Sequence, residues 1–386
     1  MFKAATVQLK APFSESKGRR LGEGLIGKLD QEPHVCWLFC SAQKGVKSLL
    51  KGVNDVVKTD NLIGCTTDGE VSNEGFSSES AVLVGIVTDR IDFHLSVVEN
   101  LSQGCEGAGR KLAQGLPKST RYLQLFSDGI TSNGCAILRG ISSVLGEEIP
   151  VSGGTAGDDG RFVRTWQFAG RKMLTDAAVA LGFSGDFQLG TGVRSGWTPT
   201  GLTKTATSAS GNTLFELNGE PALKVYERFL GKYAHKLPSI GVEYPLGLVG
   251  PAGDIGKTNY FLLRATMSVN REEGSISFAG EIPEGAEVSL TCGDIASVLH
   301  ASEEAAQLAI SDLGDATVAM IFCYSCMARK IVLGSRTREE IELIRQKIGP
   351  NLPIAGFYSY GEYSPMRCGS TSYLHNETTT VSVIGF

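Results

Sequence analysis

"IGCTTDGEVS", Ile63 to Ser72, and "IAGFYSYGEYS", Ile354 to Ser364, write one turn twice, about 290 residues apart. Each has an apolar residue, a turn around glycine, hydroxyl-bearing or aromatic residues, then Gly-Glu, one residue and Ser. Each also sits in a longer unit. Ahead of the first lies "HVCWLFCS" (34–41), a short apolar run rich in aromatic and β-branched residues, which reads as a buried strand. "GVKSLLKGVNDVV" then places Val46, Leu49, Leu50, Val53, Val56 and Val57 at helical spacing, one apolar face of an amphipathic helix. After the turn, "SAVLVGIV" (80–87) reads as a strand. The last unit repeats the order with "ATVAMIFCYS", "TREEIELIRQKI", the second turn and "TTTVSVIGF". Its helix carries Ile341, Ile344 and Ile348 on one face, with Thr337 and Glu340 expected to form a capping box. A third copy lies between them: "RYLQLFSDG", "CAILRGISSVL", "IPVSGGTAGDDG" and "AAVALGF". At least three uses of one strand–helix–turn–strand unit amount to internal symmetry, not to a short-period solenoid.

The fold class that follows is α/β: two domains of duplicated strand–helix–turn–strand units, forming mixed sheets covered by helices. A closing strand in each unit puts antiparallel pairs beside parallel ones. The expected division is an N-terminal segment 1–32, a first domain 33–215 with two units, and a second domain 216–386. The second domain holds a connecting helix, a hairpin and the third unit. The hairpin is "FLLRATMSV" and "SISFAG" around the polar turn "NREEGS". The connecting helix is "PALKVYERFLGKYAHK", with Pro221 suited to its first turn. Ala222, Val225, Tyr226, Phe229, Leu230 and Tyr233 form its apolar face.

Composition narrows the function classes. The chain has 386 residues and a net charge of −5, so it carries no electrostatic footprint for nucleic acid. The first twenty residues contain no apolar run of the signal-peptide kind. No stretch approaches the ~20 apolar residues of a membrane helix. Nine cysteines scattered in apolar segments read as reduced thiols. The expectation is a cytoplasmic protein without a membrane or nucleic-acid partner.

At the two turns and several later stretches the chain resembles a known family. "IGCTTDGEVS" with "SAVLVGI" is similar to the N-terminal FIST domain. "YPLGLV", "EIPEGAEVSLT", "AGFYSYGEYSP" and "LHNETTTV" are similar to its C-terminal partner. The resemblance runs from about Pro33 to Phe386. It implies a ligand-sensing module in signal transduction, with amino acids among the suggested ligands. A chain of this length without a kinase segment also resembles the bacterial nitric-oxide-sensing FIST proteins. That resemblance implies haem as cofactor, nitric oxide as ligand, and a histidine kinase or cyclic-di-GMP signalling protein as partner, with a homo-oligomer left open.

Haem needs an axial ligand, an apolar slot and cations for its propionates. Of the five histidines, His235 is the candidate ligand, with His300 and His94 behind it. It is expected to end the aromatic helix, where Tyr226, Phe229 and Tyr233 would wall the porphyrin. Arg228, Lys232 and Lys236 would meet the propionates. The plainer reading is a surface histidine beside an ordinary core face. The alternative site takes a small polar ligand at the second turn, through Tyr358, Tyr360 and Glu362. Arg264 would meet a carboxylate; a charge in "FLLRATM" either faces solvent or finds an acid. Glu70 and Glu362 match in place, which suggests acid–base work or, more plainly, capping of the turns. No nucleophile–histidine pattern accompanies them, so the chain reads as a non-enzyme. A third reading is a protein-interaction scaffold. "CYSC" (323–326) closes a strand, which favours buried thiols over a redox or zinc site. "SGGTAGDDG" lacks a phosphate loop's Lys and following helix. Its Asp158 and Asp159 read as solvated turn acids or a cation site.

Overall fold

The structure, a computed structural model, describes residues 1–249 and 261–386. Three units of one design follow each other. The first is β1 (Phe2–Lys10), α1 (Glu15–Leu29), β2 (Val35–Ser41), α2 (Val46–Val56), β3 (Leu62–Thr67), a hairpin of β4 (Glu70–Ser72) and β5 (Gly75–Ser77), and β6 (Ser80–Thr88). The second is β7 (Ile91–Glu99), α3 (Cys105–Gln114), β8 (Tyr122–Ser127), α4 (Gly134–Leu145), β9 (Val151–Thr155), a hairpin of β10 (Gln167–Ala169) and β11 (Lys172–Leu174), and β12 (Ala177–Gly185).

The third unit opens with β13 (Gln188–Arg194) and is then interrupted by an inserted domain. That domain holds β14 (Thr198–Ser210), β15 (Thr213–Leu217), β16 (Glu220–Pro221), α5 (Ala222–Leu230), β17 (Leu246–Val249), β18 (Leu262–Arg264), β19 (Thr266–Asn270), β20 (Ser275–Phe278) and β21 (Glu287–Cys292). The third unit resumes with α6 (Ile295–Leu313), β22 (Val318–Cys326), α7 (Met327–Leu333), α8 (Thr337–Ile348), β23 (Ile354–Ser359), a hairpin of β24 (Glu362–Pro365) and β25 (Ser372–His375), and β26 (Thr379–Gly385).

Each unit builds a four-stranded sheet, in the orders β1-β6-β2-β3, β7-β12-β8-β9 and β13-β26-β22-β23. Among the described residues only the pairs β2–β3, β8–β9 and β22–β23, each bridged by helix, are parallel, the crossover such pairs require. The hairpins do not stay at home. The first unit's β4–β5 extends the third sheet, the second unit's β10–β11 extends the first, and the third unit's β24–β25 extends the second. The exchange closes the three units into a ring.

The reason for the burial pattern is geometric. Each of the three unit sheets turns one face to the ring's interior and the other to its helices, so strands such as β2, β6 and β8 are buried on both faces and read as unbroken apolar runs. The interior is aromatic, joining Trp37 and Phe39 from the first sheet, Tyr122 and Phe126 from the second, and Phe322, Tyr324 and Phe357 from the third. Phe39 lies 5.4 Å from Phe126 and 4.9 Å from Phe357, ring centre to ring centre. Outside, α1 and α2 cover the first sheet, α3 and α4 the second, and α6 and α8 the third. α1 and α2 touch through Gly18 and Gly52, where a Cβ would stand 2.2 and 2.0 Å from a carbonyl oxygen of the facing helix.

The hairpin expectation holds here, and others change. Residues 1–32 supply β1 and α1, integral parts of the first sheet and its cover. The position expected as a domain boundary, near 215, lies inside β15 of the inserted domain. The hairpin expected around "NREEGS" is β19 with β20. The capping box is absent: Thr337 donates to the Gly334 carbonyl at 2.7 Å, and Glu340 points inward to a fully buried Arg329. Among the described residues, no helix is long and apolar enough to cross a membrane.

Candidate functional site

The repeated turn is a structural device, present three times. Gly64, Gly153 and Gly356 have φ of 153°, 131° and 158°. A Cβ there would stand 1.9, 2.1 or 1.6 Å from the carbonyl oxygen of Leu38, Leu125 or Cys323. Only glycine lets the two parallel strands approach so closely. One residue past each glycine, the incoming hairpin pairs: Gln167 opposite Cys65, Glu362 opposite Gly154, Glu70 opposite Phe357. Glu70, Gln167 and Glu362 are therefore equivalents.

Glu70 accepts from Thr67 Oγ1 at 2.5 Å and from Ser80 Oγ. Glu362 accepts from Ser359 Oγ at 2.6 Å and from Thr378 Oγ1 at 2.8 Å. In the second unit Ala156 and Ala177 stand where those hydroxyls would be, and the acid is replaced by Gln167. A carboxyl thus occurs where two hydroxyl donors meet it, and an amide where neither is present. Burial pushes the Glu70 and Glu362 carboxyls up to about 8 each, against the hydroxyl hydrogen bonds that pull them down.

The residues expected to hold haem do not share a slot. α5 ends at Leu230 because Gly231 takes a left-handed φ of 53°. The chain continues as a short 3₁₀ turn, Gly231–Lys236. Tyr226 is buried in the inserted domain's core, Phe229 is half-buried 5.8 Å from the Tyr244 ring, and Tyr233 is 42% exposed between Lys232 and Lys236. His235 is exposed, with Nδ1 2.8 Å from the Lys232 carbonyl oxygen. A cavity of about 240 Å³ lies beside Phe229 and Arg228, but His235 is not on its wall. Among the described residues, no apolar slot for a porphyrin adjoins His235. His300 is exposed, 3.7 Å from Glu303 and from Glu304, and His94 is half-buried on β7.

Tyr358, Tyr360, Glu362 and Arg264 are also kept apart. The Tyr358 phenol donates to Glu340, on the side of the third sheet covered by α8. The Tyr360 phenol donates to Asp158 and its ring stacks on Phe162 at 4.2 Å. Glu362 has crossed into the second sheet. Asp158 is no solvated turn acid: burial opposes its charge, yet Tyr360 and the amides of Arg164, Val163 and Phe162 hold it below the ordinary range. Beside it, buried Asp68 pairs with Lys330 at 2.6 Å, while its Oδ1 has no partner among the described residues.

Arg264 is withdrawn from solvent and makes no ion pair among the described residues, although its charge reaches the Glu281 carboxyl. It is 3% exposed. Its Nε donates to the Glu281 carbonyl at 2.8 Å, and one terminal nitrogen donates to the Leu263 and Leu374 carbonyls at 2.9 and 3.1 Å. Glu281, the nearby acid, is held instead by Arg139 at 2.6 Å and Asn133 at 2.8 Å. Burial opposes its charge, but those bonds keep its carboxyl below the ordinary range. Among the described residues no carboxylate lies within 4 Å of the Arg264 guanidinium. Arg264 lines a cavity of about 400 Å³ along the seam of the inserted domain and the second unit. Arg139 and Ser142 of α4, Glu147 beyond its end, Thr371 ahead of β25 and Tyr373 within it are among its polar lining. Glu147 lies 3.0 Å from Thr371 Oγ1.

Sequence reasoning singled out Arg264 and passed over the residues around it. Arg139 is an ordinary-looking charge on an amphipathic helix and Glu147 one in the turn after it, and nothing in the sequence marks them. Asn376 and Glu377, in the turn before β26, were legible only as part of a resemblance. Both are fully buried, and neither the Asn376 amide nor the Glu377 carboxyl has a hydrogen-bond partner among the described residues. Burial raises the Glu377 carboxyl well above its ordinary range. Cys36, Cys40, Cys323 and Cys326 are buried free thiols, and no group of three or more His, Cys, Asp or Glu among the described residues is arranged to hold a metal.

An uncharacterized protein of Methanocaldococcus jannaschii is 27% identical over 359 residues, spanning 86% of this chain and 67% of its own length. Among solved structures, cyanuric acid hydrolase from A. caulinodans aligns over 100% of this chain and 99% of its own, at 10% identity and a TM-score of 0.36. A chorismatase aligns over 100% and 98%, at 8% identity and a TM-score of 0.34. Likenesses this slight transfer no activity. The family models are decisive: with the FIST N domain matching residues 34–220 and the FIST C domain matching 222–365, the chain belongs to the FIST family.

Proposed function

We propose that the protein is a non-catalytic sensory module that binds a small ligand with an anionic group in the seam cavity, with Arg264 as its anchor. The observation that carries this reading is the buried Arg264 guanidinium, held by carbonyls and without a carboxylate among the described residues. A buried charge is costly unless it is compensated, and a guanidinium matches a carboxylate in bidentate geometry. Glu147, across the same cavity, supplies an acceptor for an ammonium group. An α-amino acid or another small zwitterion satisfies both ends. The cavity lies between the inserted domain and the ring, so a ligand that fits one packing of the two better than another shifts that packing. Such a shift is a signal that a partner protein reads.

A thermal-shift screen of the amino acids and small dicarboxylates tests the reading. A ligand at 100 times its Kd adds about 2.7 kcal/mol. With about 2.1 cal/mol/K of unfolding entropy per residue and 386 residues, that raises Tm by about 3 °C. Arg264→Gln abolishes the shift, and Glu147→Gln weakens it for zwitterions alone. No stabilisation by any member of the panel sinks the proposal.

The finer reading, a haem sensor of nitric oxide signalling to a histidine kinase or a cyclic-di-GMP protein, is supported by the subgroup resemblance and not by the surroundings of His235. A visible spectrum after haemin addition separates the two. A sharp Soret band that moves with nitric oxide and is lost in His235→Ala restores the haem reading. Only the broad band of loosely held haemin rejects it.

A further inference from the structure

A second cavity, of about 240 Å³, opens in the inserted domain, away from the seam. Its walls are Leu217 of β15, Val225 and Phe229 of α5, Leu246 of β17, and Val288 and Leu290 of β21. All but Phe229 are buried core residues. The only charged side chains among its described lining are two cations, Lys204 and Arg228. Arg228 shares Glu220 at 2.9 Å, while Lys204 has no carboxylate within 4 Å among the described residues. The Glu220 carboxyl is held below its ordinary range by Arg228 first, then by Lys204 and Lys224. Two cations, one of them without an ion-pair partner among the described residues, therefore stand in an otherwise apolar lining.

We propose that this cavity binds a free, medium-chain carboxylate, its hydrocarbon tail among Leu217, Val225, Phe229 and Leu290 and its head group at Lys204. Apolar surface is the floor, so the tail supplies affinity at about 25 cal/mol per Å² removed from water. Cations occupy only the rim, so the head group is anionic and stays at the mouth. A small cavity with a few convergent polar groups is the usual form of a site for one small molecule, which sets the free acid above a lipid held in a bilayer.

Isothermal titration of the full chain with sodium decanoate tests the assignment. The expected result is saturable one-site binding. Decanol and decylamine bind at least tenfold more weakly, Lys204→Glu weakens decanoate at least tenfold, and Arg264→Gln leaves it unchanged. Lys204 is only half-buried at the rim, so its variant keeps the fold. Absence of decanoate binding overturns the proposal. So does decanol binding as tightly as decanoate, or an unchanged affinity in Lys204→Glu. Sedimentation with phosphatidylglycerol vesicles in the absence of decanoate binding replaces the free acid with a membrane lipid and also overturns it. Loss of decanoate binding in Arg264→Gln would move the ligand to the seam and reject this cavity.

Discussion

Replacing Glu70 by Gln tests the assignment of the repeated acids as buried, hydrogen-bonded carboxyls. The sign follows from linkage. Glu70 is fully buried, and its carboxyl stands at about 8 against 4.5 when free. Below pH 4.5 both folded and unfolded chains hold the proton. Between 4.5 and 8 the unfolded chain releases it and the folded chain keeps it, so stability falls as pH rises. At about 1.36 kcal/mol per unit, the loss between pH 5 and 8.5 is about 4 kcal/mol from this group alone. For a chain of this length that is about 5 °C in Tm. Asp159 and the Cys40 and Cys65 thiols are the titratable neighbours. Asp159 adds to the upward shift of Glu70, and burial pushes the thiols above their usual range. Gln at this place is already used by the chain itself, as Gln167. Both facing hydroxyls, Thr67 and Ser80, can turn a lone pair to the amide. Scanning calorimetry from pH 5 to 8.5 should show the parent losing about 5 °C relative to Glu70→Gln. A gap that stays constant within 1 °C, or that widens in the parent's favour as pH rises, refutes the reasoning.

Other outcomes follow from the same geometry. Arg329→Met leaves Glu340 buried and uncompensated, for about 3–5 kcal/mol and a Tm lower by about 4–6 °C; Arg329→Met with Glu340→Leu recovers most of it, as thermal melts of the single and double variants would show. Gly356→Ala forces a Cβ onto the Cys323 carbonyl and should abolish soluble expression, while Ala at exposed Gly27, with open space around its Cβ, leaves expression and Tm unchanged. Tyr360→Phe orphans one partner of Asp158 and costs about 1–3 kcal/mol, measured as a drop of about 1–4 °C in Tm. Arg264→Gln removes amino-acid stabilisation in the thermal-shift screen while changing the ligand-free Tm far less than Arg329→Met does.

The repeated units were legible because a glycine forced by close strand approach and an acid placed after it survive as sequence marks. The strand and helix that open each unit were not. β1 with α1, β7 with α3, and β13 with α6 carry no turn signature, and the alternation of β7 breaks at half-buried His94 and Leu95. Hairpin exchange left no mark at all, because a strand's own pattern records which face is buried and not whose sheet it joins. The end of α5 did have a signal. Gly231 sits where a helix stop is expected, and reading it would have detached Tyr233 and His235 from the aromatic face. Arg264 stood out as a charge in an apolar strand. Its carbonyl partners lie in three separate segments, and strand periodicity has no access to them.

The exchanged hairpins have a consequence for how the family's two domains can be handled. Residues 34–220, expressed alone, would keep the second unit's hairpin on the first sheet. They would lose β23, on which β4 and β5 rest, and β24, which covers β9. Such a fragment, which also lacks β1 along β6, carries one hairpin with no sheet and two sheets with a bare edge, complementary parts of an intermolecular pairing. Fragments cut at the family boundary should therefore associate with one another or with the missing half. The chain is divisible in its sequence pattern but not in its hydrogen bonding.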